Sequence, residues 1–244
     1  MLPNFFDEPV AAEYDDDTDV RFTAEHLALE AGFLRDLAGE GGRALELAVG
    51  TGRVALPLAA RGIEVHGIDL SEAMVAELRA KPGGDRIPVS TGDFATTRVD
   101  GEFDLVYLVF NTLGNVTTQD AQVDTFANAA RHLRPGGAFV VEIGVPDLPR
   151  VDGGRFVVFH HGDEHTGVDE YDRATQAMWS HHYSREDDGT WRRASVPFRY
   201  VWPSELDLMA RLAGMTLRER WSGWKQEPFT SESTKHVSVW EKPA

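Results

Sequence analysis

Ala44-Leu45-Glu46-Leu47-Ala48-Val49-Gly50-Thr51-Gly52-Arg53-Val54-Ala55 decides the fold. An apolar run ends in two closely spaced glycines, and a helical pattern of Val54, Leu58 and Arg61 follows at once. The stretch reads as a strand, a tight turn and a helix N-terminus. Glycines let the backbone approach a ligand, and the free N–H groups of a helix start attract electron-rich atoms. The spacing predicts a nucleotide-like cofactor at this turn.

Downstream, Gly62 closes the helix, and residues 63–68 alternate as a second strand ending in Asp69. Ser71 is a good N-cap for a helix that turns Met74, Val75 and Leu78 inward. Residues 87–92 read as a third strand ending at Asp93-Phe94, residues 103–110 as a strongly apolar fourth, and residues 138–145 as a fifth. A helix over 118–133 precedes the fifth strand. Strands and helices in alternation, with buried-type strands, predict a parallel doubly wound sheet. Upstream, Leu29, Phe33 and Leu37 recur at helical spacing until Gly39-Glu40-Gly41-Gly42 stops them. Ahead of that helix, Phe5, Phe6 and Tyr14 flank the acidic run Asp15–Asp19, which suggests a segment that folds down over something.

The pattern changes after residue 150. Four runs without a helical period, joined by short connections with Asp187-Asp188-Gly189 as a hairpin turn, predict an antiparallel β insertion over about 151–202. Pro203-Ser204-Glu205 opens a further helix, and two strands over 216–221 and 235–241 complete the chain. The expected organisation is one domain over 1–244. It comprises an N-terminal flap and helix (1–40), a cofactor-binding half (41–150), a β-rich substrate lid (151–202), and a final helix and strands (203–244).

Composition narrows the function classes. The chain has 244 residues, 42% hydrophobic and 26% charged, which suits a globular domain. No apolar run approaches the roughly 18 residues needed to span a bilayer. Residues 1–8 carry no basic segment and no long apolar run, so they do not read as a secretory signal, and a cytoplasmic location is expected. With no cysteine, disulfides, thiolate metal sites and cysteine nucleophiles are excluded. A net charge of -16 argues against a nucleic-acid surface, because such surfaces rely on Lys and Arg to neutralise phosphates. Membrane partners are not expected either, and homo-oligomerisation is left open.

Gly50-Thr51-Gly52-Arg53-Val54-Ala55 satisfies G-x-G-x-x-G/A, and Asp69 follows at the end of strand two. Both features fit a dinucleotide site. They also fit S-adenosylmethionine, since either cofactor presents a ribose that a carboxylate can hold. Three features favour the second. Glu46 lies where a carboxylate is unhelpful to a pyrophosphate but can help hold an α-amino group. Asp93-Phe94 offers an acceptor and an apolar wall for adenine. The first strand begins some forty residues into the chain, whereas many dinucleotide domains start near the N-terminus.

On these residues the chain resembles the class I S-adenosylmethionine-dependent methyltransferases, clearly over 43–145 and by pattern over 203–241. It is also similar to the small-molecule N- and O-methyltransferases of the antibiotic and amino-sugar tailoring type. The resemblance implies a Rossmann-like α/β fold with a seven-stranded sheet of order 3-2-1-4-5-7-6, strand seven antiparallel, and the β insertion between strand five and the helix before strand six. It implies that Glu46, Ala48, Gly50 and Gly52 bind the methionine end, Asp69 the ribose and Asp93-Phe94 the adenine. Tyr14, Thr51, Leu70, Met74 and Phe110 join the expected cofactor set. Ala48 replaces the usual first glycine, which leads to the expectation that its φ stays negative. Arg53 stands at the family's third glycine. Pro57 falls within a helix and is eased if it lies in the first turn.

Methyl transfer from a sulfonium needs alignment, a dry site and sometimes a base. No metal site is expected; a grouping of His160, His161, Asp163 and His165 reads poorly as one. The candidates for orienting or deprotonating the acceptor are Asn111, His160, His182 and Tyr14. Adjacent strand residues face opposite ways, so at most one of His160-His161 and one of His181-His182 faces a pocket. Trp179, Tyr183, Phe198, Tyr200 and Trp202 are candidate substrate walls. Asn115-Val116-Thr117 matches a glycosylation sequon, which has no consequence in a cytoplasmic chain. The expected acceptor is an amine or hydroxyl of a small molecule. A nicotinamide-dependent oxidoreductase is the alternative, although no Tyr-x-x-x-Lys occurs. A cofactor-binding protein without turnover is another. RNA or protein methylation is disfavoured by charge and by the absence of an Asn/Asp-Pro-Pro-Tyr-type motif over 109–114.

Overall fold

The computed structural model of the protein describes residues 6–16, 20–147, 155–186 and 188–244. Phe5, Asp17, Asp19 and Asp187, named above, lie outside the described residues. The main sheet contains β1 (Arg43–Leu47), β2 (Glu64–Asp69), β3 (Val89–Thr91), β4 (Phe103–Leu108), β5 (Leu133–Gly144), β10 (Thr216–Trp221) and β11 (Lys235–Glu241). Its strand order is β10-β11-β5-β4-β1-β2-β3, with β11 antiparallel to β5 and β10 antiparallel to β11. This is the expected order 3-2-1-4-5-7-6 with strand seven reversed.

Helices cover both faces because the strands are apolar on both. Leu105 and Tyr107 of β4 point to one core, with Leu34 of α2 (Ala24–Ala38) and Leu58 of α3 (Ala55–Ala59). Val106 and Leu108 point to the other, with Phe126 of α5 (Gln119–His132) and Met209 of α6 (Pro203–Leu212). Helix α4 (Glu72–Ala80) starts at Ser71, whose hydroxyl accepts from the Met74 N–H at 3.2 Å. Thr118 caps α5 in the same way. Pro57 is the third residue of α3, in the first turn, where its missing N–H has no partner to lose.

The insertion forms a separate antiparallel sheet of order β6-β7-β8-β9: β6 (Phe156–His161), β7 (His165–Tyr171), β8 (Ala177–Arg185) and β9 (Trp191–Arg199). A buried polar node fixes it to the core. The Arg199 guanidinium donates to Gln122 of α5 (2.5 Å), Glu205 of α6 (2.7 Å) and Gln176 of the β7–β8 turn (3.1 Å). A short helix α1 (Glu8–Glu13) precedes α2 and packs near α4. No helix among the described residues is long and apolar enough to cross a membrane.

Candidate functional site

The turn after β1 is built by backbone constraint. The Val49 N–H donates to the Ile68 carbonyl at 3.1 Å, so the chain pairs with β2 again immediately after Ala48. The kink falls on Ala48, whose φ is +58°. The expectation of a negative φ is therefore wrong: alanine takes the left-handed conformation that the usual glycine would adopt freely. Val49 then lies over Gly67, where a Cβ would come within 2.6 Å of the valine side chain. Gly50 and Gly52 also have positive φ, and a Cβ on Gly52 would meet Leu78 at 2.3 Å. The result is a tight cradle open on one side.

Asp69 closes that cradle. Its two carboxylate oxygens accept from the Gly50 N–H (2.7 Å) and the Ser71 N–H (2.8 Å). Burial pushes its pKa up against those two bonds. Glu46 lies on the α2 side of β1, 3% exposed, and accepts from the Tyr107 hydroxyl at 2.9 Å. Burial drives its carboxyl up to about 8, although the Tyr107 bond and Arg53 pull the other way. Asp93 accepts from the Ala95 N–H at 2.9 Å, and Asn128 of α5 donates to the Phe94 carbonyl at 2.8 Å, which fixes the Asp93-Phe94 corner.

A cavity of about 380 Å³ opens above the cradle, a volume typical of small-ligand sites. Ala48, Gly50, Asp69, Leu70, Met74, Asp93 and Phe94 line its end over the cradle. Phe6 and Tyr14 cover it from the N-terminal segment. The far end is formed by Thr112, Asn115, Val116 and Thr117 after β4 and by Met178, Trp179, Val196 and Phe198 of the insertion. Of the expected cofactor set, Glu46, Thr51, Gly52 and Phe110 stand behind the lining. Thr51 ties down the flap: its hydroxyl donates to Asp15 at 2.8 Å, and Lys81 bridges Asp15 and the Thr51 carbonyl. Ser71 also donates to the Phe6 carbonyl.

Phe110 belongs to an aromatic cluster with Tyr14 (6.4 Å) and Phe22 (5.6 Å), and the Arg21 and Arg53 guanidinium groups stack on its ring at 4.0 and 4.6 Å. Both Phe110 and Asn111 have positive φ, 60° and 61°. The end of β5 holds this strained pair. Glu142 accepts from the Phe110 N–H through its carboxylate (3.0 Å) and from the Asn111 N–H through its carbonyl (3.2 Å), while the Asn111 amide oxygen accepts from the Gly144 N–H (3.0 Å). Asn111 is thus a turn-closing residue outside the cavity lining. Arg53, at the family's third-glycine position, bonds Glu30 of α2 at 2.7 Å. That buried partnership had no signal in the local sequence.

The histidines sit elsewhere. None of His160, His161, His165, His181 and His182 lines the cavity. His160 is exposed. His182 stacks on His165 with ring centroids 5.2 Å apart, and burial lowers its pKa. His181 is buried against Glu170 (3.1 Å) and Ser195 (2.8 Å). The register explains the placement. Met178 pairs with Phe198 at the cavity end of the sheet, and His182 lies four residues farther along β8, about 13 Å away. Of the expected walls, Trp179 and Phe198 line the cavity; Tyr183, Tyr200 and Trp202 do not.

Sequence reasoning missed Asn115 as a lining residue. Its amide oxygen is buried with no hydrogen-bond partner. Its place in the turn after β4, at the carboxyl end of a central strand, was the available signal. Tyr14 lines the cavity with its hydroxyl pushed up to about 12 by burial, so it stays protonated at neutral pH. Among the described residues, His26, Glu30 and Glu142 bring potential ligand atoms within 4.8 Å of one another. Arg53 on Glu30 (2.7 Å) and Lys235 near Glu142 (3.6 Å) already neutralise both carboxylates, so a divalent cation would add uncompensated buried charge.

Comparison with known proteins agrees with this architecture. Residues 44–137 match a family described as a methyltransferase domain. The structure of the CcbJ methyltransferase from Streptomyces caelestis is 34% identical over 98% of both chains, with a TM-score of 0.86. The cypemycin N-terminal methyltransferase of a Streptomyces species is 27% identical over 98% of both chains. A dTDP-3-amino-3,4,6-trideoxy-alpha-D-glucopyranose N,N-dimethyltransferase of Streptomyces venezuelae is 30% identical over 46% of each chain. Likeness along the whole chain in sequence and architecture leaves one assignment: the protein belongs to the class I S-adenosylmethionine-dependent methyltransferases.

Proposed function

We propose that the protein transfers a methyl group from S-adenosylmethionine to an amine of a small molecule, without a dedicated base. The observation that carries this reading is the cavity lining. It runs from the cradle to the insertion and, among the described residues, contains no histidine, lysine or arginine. Its ionisable groups are Asp69 and Asp93, both on the cofactor side, and Tyr14, which burial keeps protonated. A hydroxyl acceptor of ordinary acidity needs a base at the moment of attack. An amine needs only to be neutral, and a dry, apolar pocket favours its neutral form.

The residues present fit the cofactor. Gly50 lines the cavity without a side chain, and the buried Asp69 carboxylate and the Asp93-Phe94 corner supply acceptors and an apolar wall, with Glu46 standing behind them on Tyr107. When bound, S-adenosylmethionine would supply an electrophilic sulfonium methyl to the amine lone pair, the S–C electron pair staying on sulfur, and the proton of the new ammonium would pass to bulk water as the product leaves. Phe6 and Tyr14 exclude water from above the cradle. Trp179 and Phe198 hold the acceptor body, and the Asn115 amide oxygen accepts an N–H and orients the nitrogen. His160 and His182 take no part in this reading, and Asn111 acts only by shaping the turn after β4.

Incubation of the protein with S-adenosylmethionine and a panel of apolar primary and secondary amines and phenols tests the proposal. The expected result is S-adenosylhomocysteine formed in step with an N-methylated amine. Turnover of phenols alone, with a rate rising with pH through a single ionisation, would replace this reading by O-methylation.

A further inference from the structure

We infer that the acceptor end of the cavity takes an amine with an apolar body and no phosphate or other anionic group. The inference rests on the amine-methylation reading and narrows its substrate class. Val116, Met178, Trp179, Val196, Pro197 and Phe198 form the walls there, and the polar groups among them are uncharged. Among the described residues no cation lines any part of the cavity, while two carboxyl groups, Asp69 and Asp93, do. The cations just behind the walls are engaged: Arg53 with Glu30, Lys81 with Asp15 and Arg199 with Glu205. A phosphorylated acceptor would press its charge against these apolar walls with no cation in the lining to neutralise it.

The hydrogen-bonding sense points the same way. Asn115 offers a buried amide oxygen that lacks a donor. An amine N–H supplies one, whereas a phosphate oxygen can only accept. Trp179, 43% exposed at the cavity rim, offers its ring to an apolar body and to the positive charge that the methylated nitrogen acquires. It follows that the acceptor reaches this enzyme after any phosphate carrier has gone. The step that supplies it is one that releases or transfers the amine-bearing unit from its phosphate, by hydrolysis or glycosyl transfer.

The test uses two acceptors that share one amino sugar: its octyl glycoside and its dTDP-linked form. Each is titrated calorimetrically into the full chain saturated with S-adenosylhomocysteine. The octyl glycoside is expected to bind about 100-fold more tightly. Equal or tighter binding of the dTDP form, or binding of neither, overturns the inference. In parallel, both are assayed for methylation with S-adenosylmethionine. An octyl glycoside that binds selectively but is not methylated supports the inference about the cavity and overturns the amine-methylation reading. Trp179→Ala is expected to weaken the octyl glycoside about tenfold; an unchanged affinity, in a variant that still binds S-adenosylhomocysteine, counts against the inference.

Discussion

Ala48 and Glu46 carry the two clearest costs in the site. A left-handed φ on an L-residue costs about 1–2 kcal/mol, while a glycine costs about 0.4–1 kcal/mol more in the unfolded chain. Ala48→Gly is therefore expected to raise stability by up to about 1.6 kcal/mol in denaturant titration, and a loss of stability would mean that the methyl packs usefully. Glu46 is different, because its carboxyl rises from the ordinary 4.5 to about 8 on folding. The folded protein then binds the extra proton between those values. Its contribution to stability is fully present below pH 4.5 and is lost as pH rises through 8. Relative to Glu46→Gln, the wild-type protein should lose about 1 kcal/mol per pH unit between pH 5.5 and 7.5. Parallel stability curves for the two proteins would show Glu46 to be ionised throughout.

At the scale of elements, two contacts set the geometry. Glu142 on β5 holds the positive-φ pair Phe110-Asn111, and so the ring on which Tyr14 and Phe22 pack. Glu142→Gln keeps an acceptor for the Phe110 N–H and should retain most activity. Glu142→Leu leaves that N–H unpaired at a cost of about 1–3 kcal/mol and should lower kcat more than it raises KM. Equal effects of the two variants would deny the clamp. Arg199 is the second contact, since β9 reaches α5 and α6 through it. Arg199→Leu removes the cation beside Glu205, which keeps hydrogen bonds from Gln119 and Gln176, and should cost about 1–3 kcal/mol in thermal or denaturant unfolding. Neither contact was legible in the sequence. Both join residues far apart along the chain, and nothing near Glu142 or Arg199 distinguishes them from surface charges.

Across the whole molecule, legibility followed the range of the cause. The helix cap at Ser71 and the short-connected strands of the insertion are local effects, and they lie where residue type and spacing put them. The strand order came from the family resemblance carried by Glu46, Gly50, Gly52, Asp69 and Asp93-Phe94. The acceptor end was read less well. His160 and His182 have the chemistry of a base, but strand register carries them past the cavity. Val196, its farthest lining residue on β9, pairs with Ser180, and His182 lies two residues, about 7 Å, farther on. Asn115, dismissed as an idle sequon, lines the cavity instead. Period and residue type show which face of a strand a side chain occupies. They do not show how far along a second sheet the first one reaches.

The central claim is that the cradle from Ala48 to Gly52, closed by Asp69, holds S-adenosylmethionine. Calorimetric titration of wild-type protein and Asp69→Asn with S-adenosylhomocysteine and with NADPH tests it most directly. The predicted result is saturable binding of S-adenosylhomocysteine, weakened by about 1–3 kcal/mol in Asp69→Asn, with no heat from NADPH. Saturable binding of NADPH with none of S-adenosylhomocysteine, or an affinity unchanged in a folded Asp69→Asn variant, would contradict it.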